Sequence, residues 1–240
     1  MSYRKFGMAC FLGAAVLASD MVYADENDQA NKDWHVTVSG KLWANSWNGW
    51  TSAGNNGTNS VVASNTPFIG GVTARYKDFF VSGNYSPSTN YDFSSFNGQG
   101  TYSRKEMDLN VGYYLVPQVA LAAGYKEVDM TYSAFSTWKY KFAIVGINGV
   151  SRINDTRAFM YGNGGFGVGT VSSTYAPFAG YGAGNPTYES IEAGFGYSIT
   201  NNLVGTIGYK YQQISLSFAN WAAKARDITT GYMFGLAYTF

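Results

Sequence analysis

Most of the chain after residue 33 alternates between bulky apolar side chains and small or polar ones. The final segment shows this most plainly, because every second residue is large; these residues are Tyr232, Phe234, Leu236, Tyr238 and Phe240. Successive side chains of a β-strand point to opposite faces, so such a segment has one apolar face. The alternation predicts ten strands: Trp34–Trp47, Thr66–Lys77, Phe79–Asp92, Tyr102–Val116, Val119–Tyr132, Thr137–Val150, Arg157–Ser172, Thr187–Ile199, Leu203–Ser217 and a last strand that ends at Phe240.

The predicted connections alternate between short and long. The connections on one side are the turns Lys77–Asp78, Pro117–Gln118, Ser151–Thr156 and Thr200–Asn202, which are mostly short. Those on the other side are the loops Asn48–Asn65, Phe93–Thr101, Thr174–Pro186 and Phe218–Arg226, with one brief tip at Ser133–Ser136. An even number of strands puts both termini of the chain on one side of the membrane. Short turns on one side and longer loops on the other are typical of transmembrane barrels. Eight or twelve strands are the alternatives, since strand boundaries are the least secure part of such a prediction.

The first 24 residues form a separate unit. Arg4 and Lys5 precede an apolar run, Phe6–Ala18, and the small residue Ala24 ends the segment. This is the pattern of a cleaved secretory signal peptide, and the run is too short for a membrane-spanning helix. Residues 25–33 are then predicted to be a short polar lead in the periplasm, before a barrel over residues 34–240.

The amino-acid composition limits the kinds of binding and catalytic chemistry that the chain can support. The chain has 29 Gly, 20 Tyr, 16 Phe and a net charge of +1, which suits an all-β protein and gives no basic footprint for nucleic acid. Cys10 is the single cysteine and lies in the predicted leader, so the secreted chain would hold no disulfide and no thiolate metal site. We therefore predict no cofactor and no metal.

The last strand, with Tyr238 two residues before the terminal Phe240, resembles the C-terminal strand of bacterial outer-membrane β-barrels. The chain as a whole resembles the small barrels of the opacity-protein class. That resemblance implies an all-β, closed, antiparallel up-and-down barrel in the outer membrane of a Gram-negative bacterium, reached after secretion through the inner membrane. It also implies two partners, the surrounding lipid and the barrel assembly machinery, which would read Tyr238 and Phe240.

Charged residues predicted to point inward are the candidate functional set: Lys41, Arg75, Arg104, Lys126, Lys139, Lys141, Arg157 and Lys210 against Glu106, Asp108 and Glu192. In the strand Thr137–Val150 the outward set is predicted to be Trp138, Tyr140, Phe142 and Ile144. Buried ions are costly unless they are paired or hydrated. Two interpretations follow: a narrow, cation-lined passage for small anionic or neutral solutes, or a salt-bridged plug that fills the lumen.

The leading functional prediction is a narrow channel for passive transport of small solutes. The alternative is a surface interaction, adhesion or structural envelope protein that acts through its outer loops. An enzyme is disfavoured, because the one histidine, His35, starts the first strand at the predicted periplasmic end. The ten-stranded outer-membrane proteases, which the chain resembles in strand count, need acidic residues and a histidine at the outer rim. The stretch Gly162–Gly167 fits GxGxxG, but alternation on both sides favours strand glycines over a nucleotide site.

Overall fold

The computed structural model describes residues 34–52, 58–95, 98–132, 136–174, 184–218 and 224–240. The predicted signal peptide, the periplasmic lead and the tips of the predicted loops lie outside the described residues. Within these ranges no helix is long and apolar enough to cross a membrane.

Eleven β-strands make up the described fold: β1 Trp34–Ser52, β2 Thr58–Asn65, β3 Phe68–Tyr76, β4 Phe79–Ser95, β5 Gly98–Val116, β6 Val119–Tyr132, β7 Ser136–Arg152, β8 Ala158–Ser173, β9 Thr187–Ser198, β10 Leu203–Ser217 and β11 Lys224–Thr239. Antiparallel ladders join consecutive strands from β3 to β11, and β11 pairs back onto β1 from Thr37↔Thr239 to Ser52↔Lys224. The sheet therefore closes into a barrel. Since β2 and β3 are two parts of one wall strand, the wall has ten strands, and the predicted fold class is confirmed.

The second wall strand is interrupted at Pro67. The lower part of β1 pairs with β3, from Trp34↔Tyr76 to Leu42↔Phe68, and its upper part pairs with β2, from Asn45↔Asn65 to Ser52↔Thr58. Proline has no backbone N–H for a ladder, so a sheet tends to break where it occurs. The predicted loop Asn48–Asn65 is wrong for most of its length, because β1 and β2 continue as a hairpin up to the undescribed residues 53–57.

We call the end of the barrel that carries Phe240 the lower end. Its connections are short, and two of them contain a non-glycine residue in the left-handed region, Lys77 with φ 52° and Asn154 with φ 51°. Asparagine tolerates that conformation well, whereas lysine is an uncommon choice. The Phe240 amide donates to the Val36 carbonyl at 2.9 Å, which ties the chain end to β1.

The outer surface of the lower half is an apolar band between two rings of aromatic residues. The lower ring contains Trp34, Tyr76, Phe79, Tyr113, Tyr197, Tyr238 and Phe240, and the upper ring contains Phe68, Tyr85, Tyr125, Tyr209 and Tyr232. On strands that carry a residue of each ring the two residues are six to eight steps apart, and along a strand tilted by about 40° this spans roughly 15–20 Å, approaching the ~25 Å apolar band of outer-membrane barrels. Among the described outward side chains between these rings, none is charged.

Above the upper ring the apolar residues change face. On β7, Val145 points outward within the band, whereas Tyr140 and Phe142 farther up point inward and are 2% and 1% exposed. On β6, Tyr125 belongs to the outer ring, while Val128 and Met130 above it are buried inside. The barrel thus has a band half with an apolar outer surface, and a projecting half with a polar outer surface and an apolar interior.

This inversion corrects the predicted facing of the strand Thr137–Val150. The predicted outward residues Tyr140, Phe142 and Ile144 are buried inside the barrel, and Trp138 packs against the buried clusters there. Lys139 and Lys141, predicted to point inward, lie on the outer surface. The prediction assumed one preferred face for the whole strand. A strand that passes from lipid into water buries its apolar residues on the opposite face.

Candidate functional site

Seven charged residues converge inside the barrel near the level of the upper aromatic ring. We call them the charge network; they are Lys41, Arg104, Glu106, Asp108, Lys126, Glu192 and Lys210. They occupy inward positions of β1, β5, β6, β9 and β10, where alternation directs each one away from lipid. Asp227 on β11 adds a fourth carboxylate close to Arg104. Four cations therefore face four anions, and the set is electrically neutral.

Glu106 is the hub of the network. Its carboxylate accepts hydrogen bonds from Arg104 Nε at 2.7 Å and Lys126 Nζ at 2.8 Å. The Gln212 amide donates to both carboxylate oxygens, at 3.2 and 3.3 Å. Lys126 also lies 3.5 Å from Asp108. Two buried cations are thus neutralised mainly by one carboxylate.

Glu192 organises the other side of the lumen. It accepts from Lys41 Nζ at 3.4 Å and from the Tyr161 hydroxyl at 3.1 Å, and its side chain is 1% exposed. Lys210 is its direct cross-strand neighbour on β10. The Lys210 ammonium lies 4.7 Å from the centre of the Trp43 ring, a cation–π contact that helps to hold a desolvated charge.

An apolar layer covers the network from above. Trp47, Tyr91, Tyr140, Phe142 and Tyr188 form one buried cluster in the projecting half, together with aliphatic residues of β6 and β10. The Trp47 and Tyr91 rings meet edge to face at 5.2 Å, and the Tyr140 and Phe142 rings stack at 6.1 Å. This cluster has the character of a soluble protein core.

The two layers are joined through Arg104 and Asp227. Arg104 lies 5.4 Å from the Trp47 ring and donates to Thr229 Oγ1 at 2.7 Å, while the Trp47 indole donates to Asp227 at 3.2 Å. Burial raises the pKa of Asp227 above its ordinary value, although the Arg104 charge and the indole N–H oppose the rise.

A second apolar layer lies below the network. The Phe80 and Tyr114 rings are 5.6 Å apart and pack with Ala120 and Ala122, and Phe159 and Val204 form a neighbouring cluster. Val150 contacts both clusters and connects them across the lumen. The lumen is therefore filled at three levels, which suits a barrel little wider than the eight-stranded size that side chains just fill.

One small cavity remains within the network. Its volume is about 20 Å³, and it is lined by Lys41, Lys126, Lys210, Glu106 and Asp108 on one side. Residues of β3 and β4, namely Ile69, Asn84 and Ser86, line it on the other side. A space of this size in a polar setting has the room and the partners for one water molecule.

The remaining predicted lumen residues lie elsewhere. Arg75 is at the lower mouth, with its guanidinium 4.1 Å from the centre of the Tyr114 ring. Arg157 belongs to the lower turn that precedes β8, is exposed and donates to the Ile199 carbonyl at 3.3 Å, so its predicted place in the lumen is wrong.

Lys139 and Lys141 belong instead to a charged surface on the projecting half. Lys139 pairs with Glu127 at 3.1 Å and with Asp129 at 3.5 Å, and Lys105 pairs with Asp129 at 3.4 Å. These positions lie above the apolar band, where water and lipid headgroups replace acyl chains. The predicted lumen role of Lys139 and Lys141 is therefore wrong, for the reason given above for β7.

Sequence reasoning missed several members of the site. Trp43, Tyr161 and Gln212 were not singled out, although each occupies an inward position opposite the outward apolar residues. Asp227 follows a predicted loop, where charge is ordinary. The sequence feature that could have identified Asp227 is its acidic side chain at a position that alternation directs inward on the last strand.

His35, the one histidine of the sequence, lies at the lower end of β1 opposite Arg75. Within the described ranges no group of three His, Cys, Asp or Glu side chains could hold a metal ion. Tyr238 and Phe240, the predicted assembly signal, lie on the outer surface in the lower ring with ring centres 4.9 Å apart.

Comparison with known proteins supports the fold rather than an activity. The sequence matches no family model and no curated protein. Among solved structures, the outer membrane protease OmpT from Escherichia coli aligns with 88% of this chain and 98% of its own at 15% identity, with a TM-score of 0.56. Neisserial surface protein A aligns with 87% of this chain and 98% of its own at 9% identity and a TM-score of 0.39. OprG from Pseudomonas aeruginosa aligns with 88% of this chain and 98% of its own at 13% identity and a TM-score of 0.38. Of the three, the first alone bears on the fold, and at that identity it says nothing of activity.

Proposed function

Starting from a chain that has the fold of small bacterial outer-membrane β-barrels, we propose that it is a plugged barrel of the bacterial outer membrane that acts at the cell surface. Its projecting half and upper loops would contact a partner or the surrounding envelope. In this proposal the axis of the barrel does not conduct, so the predicted channel gives way to the predicted alternative.

The filled lumen is the observation that carries the proposal. The Phe80–Tyr114 layer, the charge network and the Trp47–Tyr91 layer follow one another along the axis. Opening a passage would require Glu106 to separate from two buried cations, and breaking one such buried pair costs ~3–5 kcal/mol.

The outer surface supports the membrane location. The apolar band between two aromatic rings has the height and composition that lipid demands, and closure of the barrel leaves no unpaired strand edge within that band. The C-terminal pair Tyr238 and Phe240 lies at the lower edge of the band, where the barrel assembly machinery would meet it. We place the lower end in the periplasm on this basis.

The projecting half supports the surface role. Its outer face carries Lys105, Glu127, Asp129, Lys139 and Lys141 in a paired array, and its interior is a packed aromatic core. Such a packed, water-exposed stem would present the described upper ends of the strands beyond the apolar band. The proposal is non-enzymatic: the histidine lies at the lower end, on the far side of two packed layers from the upper rim.

Planar-bilayer recordings test the closed axis. We expect no discrete current steps from the purified barrel, and steps from a variant in which Phe80, Tyr114, Phe142, Tyr188 and Glu106 are all replaced by Ala. That variant removes two large side chains from each aromatic layer, and Glu106→Ala opens the charge network between the layers, so the five-site variant is the positive control. Single-channel steps from the unaltered protein would overturn the plugged barrel.

Thiol labelling of whole cells tests the surface role. A membrane-impermeant maleimide should label Lys141→Cys and leave Val145→Cys unlabelled. Both residues point outward on β7, one above the apolar band and the other within it. Labelling of the two variants at equal rates would refute a projecting half at the cell surface.

A further inference from the structure

We infer that the barrel has a lateral gate, a seam in its wall between β2 and the upper part of β4, through which small polar solutes from outside reach the cavity of the charge network. The seam is bounded by residues 58–67 on one side and by residues 86–95 on the other. This inference concerns the wall rather than the axis, and it goes beyond the proposed surface role.

The seam is a gap in the backbone ladder. In the closed sheet, β2 pairs with β1 but has no ladder to β4 among the described strands. The β3–β4 ladder runs up to Gly70↔Tyr85 and ends there. Above that pair, β2 and β4 run side by side with Cα atoms within 8 Å of one another. There is no room for another strand between them, so the gap can widen or close but cannot be filled by an added strand.

Both edges of the seam contain a proline at its lower end. Pro67 separates β2 from β3, and Pro87 lies in a bulge of β4 where the register with β5 shifts between Ser86 and Thr89. From Ser86 to Thr89, β4 advances by three residues while the paired segment of β5, from Glu106 to Arg104, covers only two. Proline removes a backbone donor and a bulge bends the strand, so regular pairing is interrupted on both edges at the same height.

A side chain bridges the seam where the backbone does not. The Asn65 amide donates to the Asn90 carbonyl across the gap, and the Asn65 side-chain oxygen accepts from the Thr66 amide at 2.5 Å. These residues are exposed, so water can replace both bonds at little cost. Asn65 thus acts as a latch that can open without disturbing the barrel core.

The cavity lies directly behind the lower end of the seam. Ile69, Asn84 and Ser86, which line it, belong to β3 and β4 next to the two prolines. On the outside, Phe68 and Tyr85 of the upper aromatic ring flank the same place and are 50% and 49% exposed. A solute that approached the cavity along the barrel axis would have to cross an aromatic layer, whereas a solute that entered through the seam would pass only the edge of one strand.

The charge lining the cavity sets the expected preference. Three ammonium groups, from Lys41, Lys126 and Lys210, face two carboxylates, from Glu106 and Asp108. An anionic solute should therefore enter more readily than a cationic solute of the same size.

Cysteine accessibility tests the gate. In a Cys10→Ser background and in lipid nanodiscs, Ser86→Cys should react with a small methanethiosulfonate reagent. The cavity has room for about one water molecule, so a reagent of this kind reaches the position only when the seam opens. The anionic sulfonatoethyl reagent should react about tenfold faster than the cationic aminoethyl reagent, at the lower end of electrostatic steering effects. Ser82→Cys is the matched control: it lies four residues lower on β4 and inside an intact ladder, and it should not react.

Removing the latch should speed the reaction. Asn65→Ala should raise the labelling rate of Ser86→Cys several-fold, and Ser64→Ala, at the adjacent position on the outer face of β2, should not. The lateral gate would be overturned if Ser86→Cys did not react. It would also be overturned if the labelling rate changed neither with Asn65→Ala nor with the charge of the reagent. Heat-modifiable migration on gels establishes that each variant is a folded barrel.

Hydrogen exchange on the unaltered protein provides a test that needs no variant. Backbone amides of residues 88–92 on β4 should exchange faster than those of residues 126–130 on β6, which lie at a similar height with ladders on both sides. Equal protection of the two segments would also overturn the proposal.

Discussion

Replacing Glu106 by Gln tests how much of the barrel's stability depends on the charge network. The substitution keeps the size of the side chain and removes its negative charge. Arg104, which is 4% exposed, and Lys126, which is 3% exposed, then lose the carboxylate that each contacts below 3 Å. Lys126 keeps Asp108 at 3.5 Å, so the loss of compensation is incomplete.

The expected loss follows from that geometry. Removing one partner of a buried ion pair destabilises a protein by ~3–5 kcal/mol, because the other charge stays buried and uncompensated. Asp108 and Asp227 remain nearby, so we expect the lower end of this range, ~3 kcal/mol. With a urea slope of ~2 kcal/mol per molar, the unfolding midpoint should fall by about 1.5 M.

Urea unfolding in lipid vesicles, followed by tryptophan fluorescence, measures this shift. Glu189→Gln is the matched control: it removes the same charge from an exposed outward position, and such a surface change stays within about ±0.5 kcal/mol. The double variant Glu106→Gln with Lys126→Met should recover part of the loss, since it removes both a charge and its partner. A midpoint for Glu106→Gln that equals the midpoint of the Glu189→Gln control would refute the reasoning.

Two further predictions concern the outer surface. Leu236→Arg, at mid-height of the apolar band, should destabilise the folded barrel in lipid by ~2–4 kcal/mol, whereas Ile228→Arg, outward but above the band, should cost ~0–1 kcal/mol; equal costs in vesicle unfolding would contradict the proposed membrane boundary. Burial alone would raise the pKa of Glu127, but hydrogen bonds from Lys139 and Tyr125 outweigh it and hold that pKa below its ordinary 4.5. A lowered carboxyl pKa contributes stability above the unfolded-state value that is lost as the pH falls through the folded-state value. Lys139→Gln should therefore raise the Glu127 pKa toward 4.5 by carboxyl NMR, and an unchanged titration would count against the pair.

The sequence predicted the barrel because alternation is a local property. In β11 the bulky residues keep one phase from Tyr232 to Phe240, since that stretch faces a single solvent. The same rule correctly directed Lys41, Glu106, Lys126 and others inward in the band half. It failed on β7, where Ile144 and Val145 are adjacent apolar residues. That pair marks the point at which the preferred face reverses, and alternation with a fixed phase cannot detect it.

The network contacts could not be predicted from alternation. Which carboxylate meets Lys126 depends on the register between β5 and β6, and the contact with Gln212 depends on the curvature that brings β10 across the lumen. Glu106 accepts from Gln212, 106 residues away in sequence, only because the barrel is closed. Likewise, the seam depends on β2 and β3 being one interrupted strand, whereas the glycine- and asparagine-rich sequence there was interpreted as a loop.

The reversal of polarity between the two halves also fixes how the barrel can enter a bilayer. The outer surface of the projecting half carries charged side chains on β5, β6 and β7, and these form the ion pairs Lys105–Asp129, Lys139–Glu127 and Lys139–Asp129. Once folded, that charged surface cannot pass through hydrocarbon, so the finished barrel cannot turn over or withdraw. In the proposed orientation the charged upper half would therefore have to reach the outer side before β11 pairs with β1, and closure of the cylinder would commit the orientation.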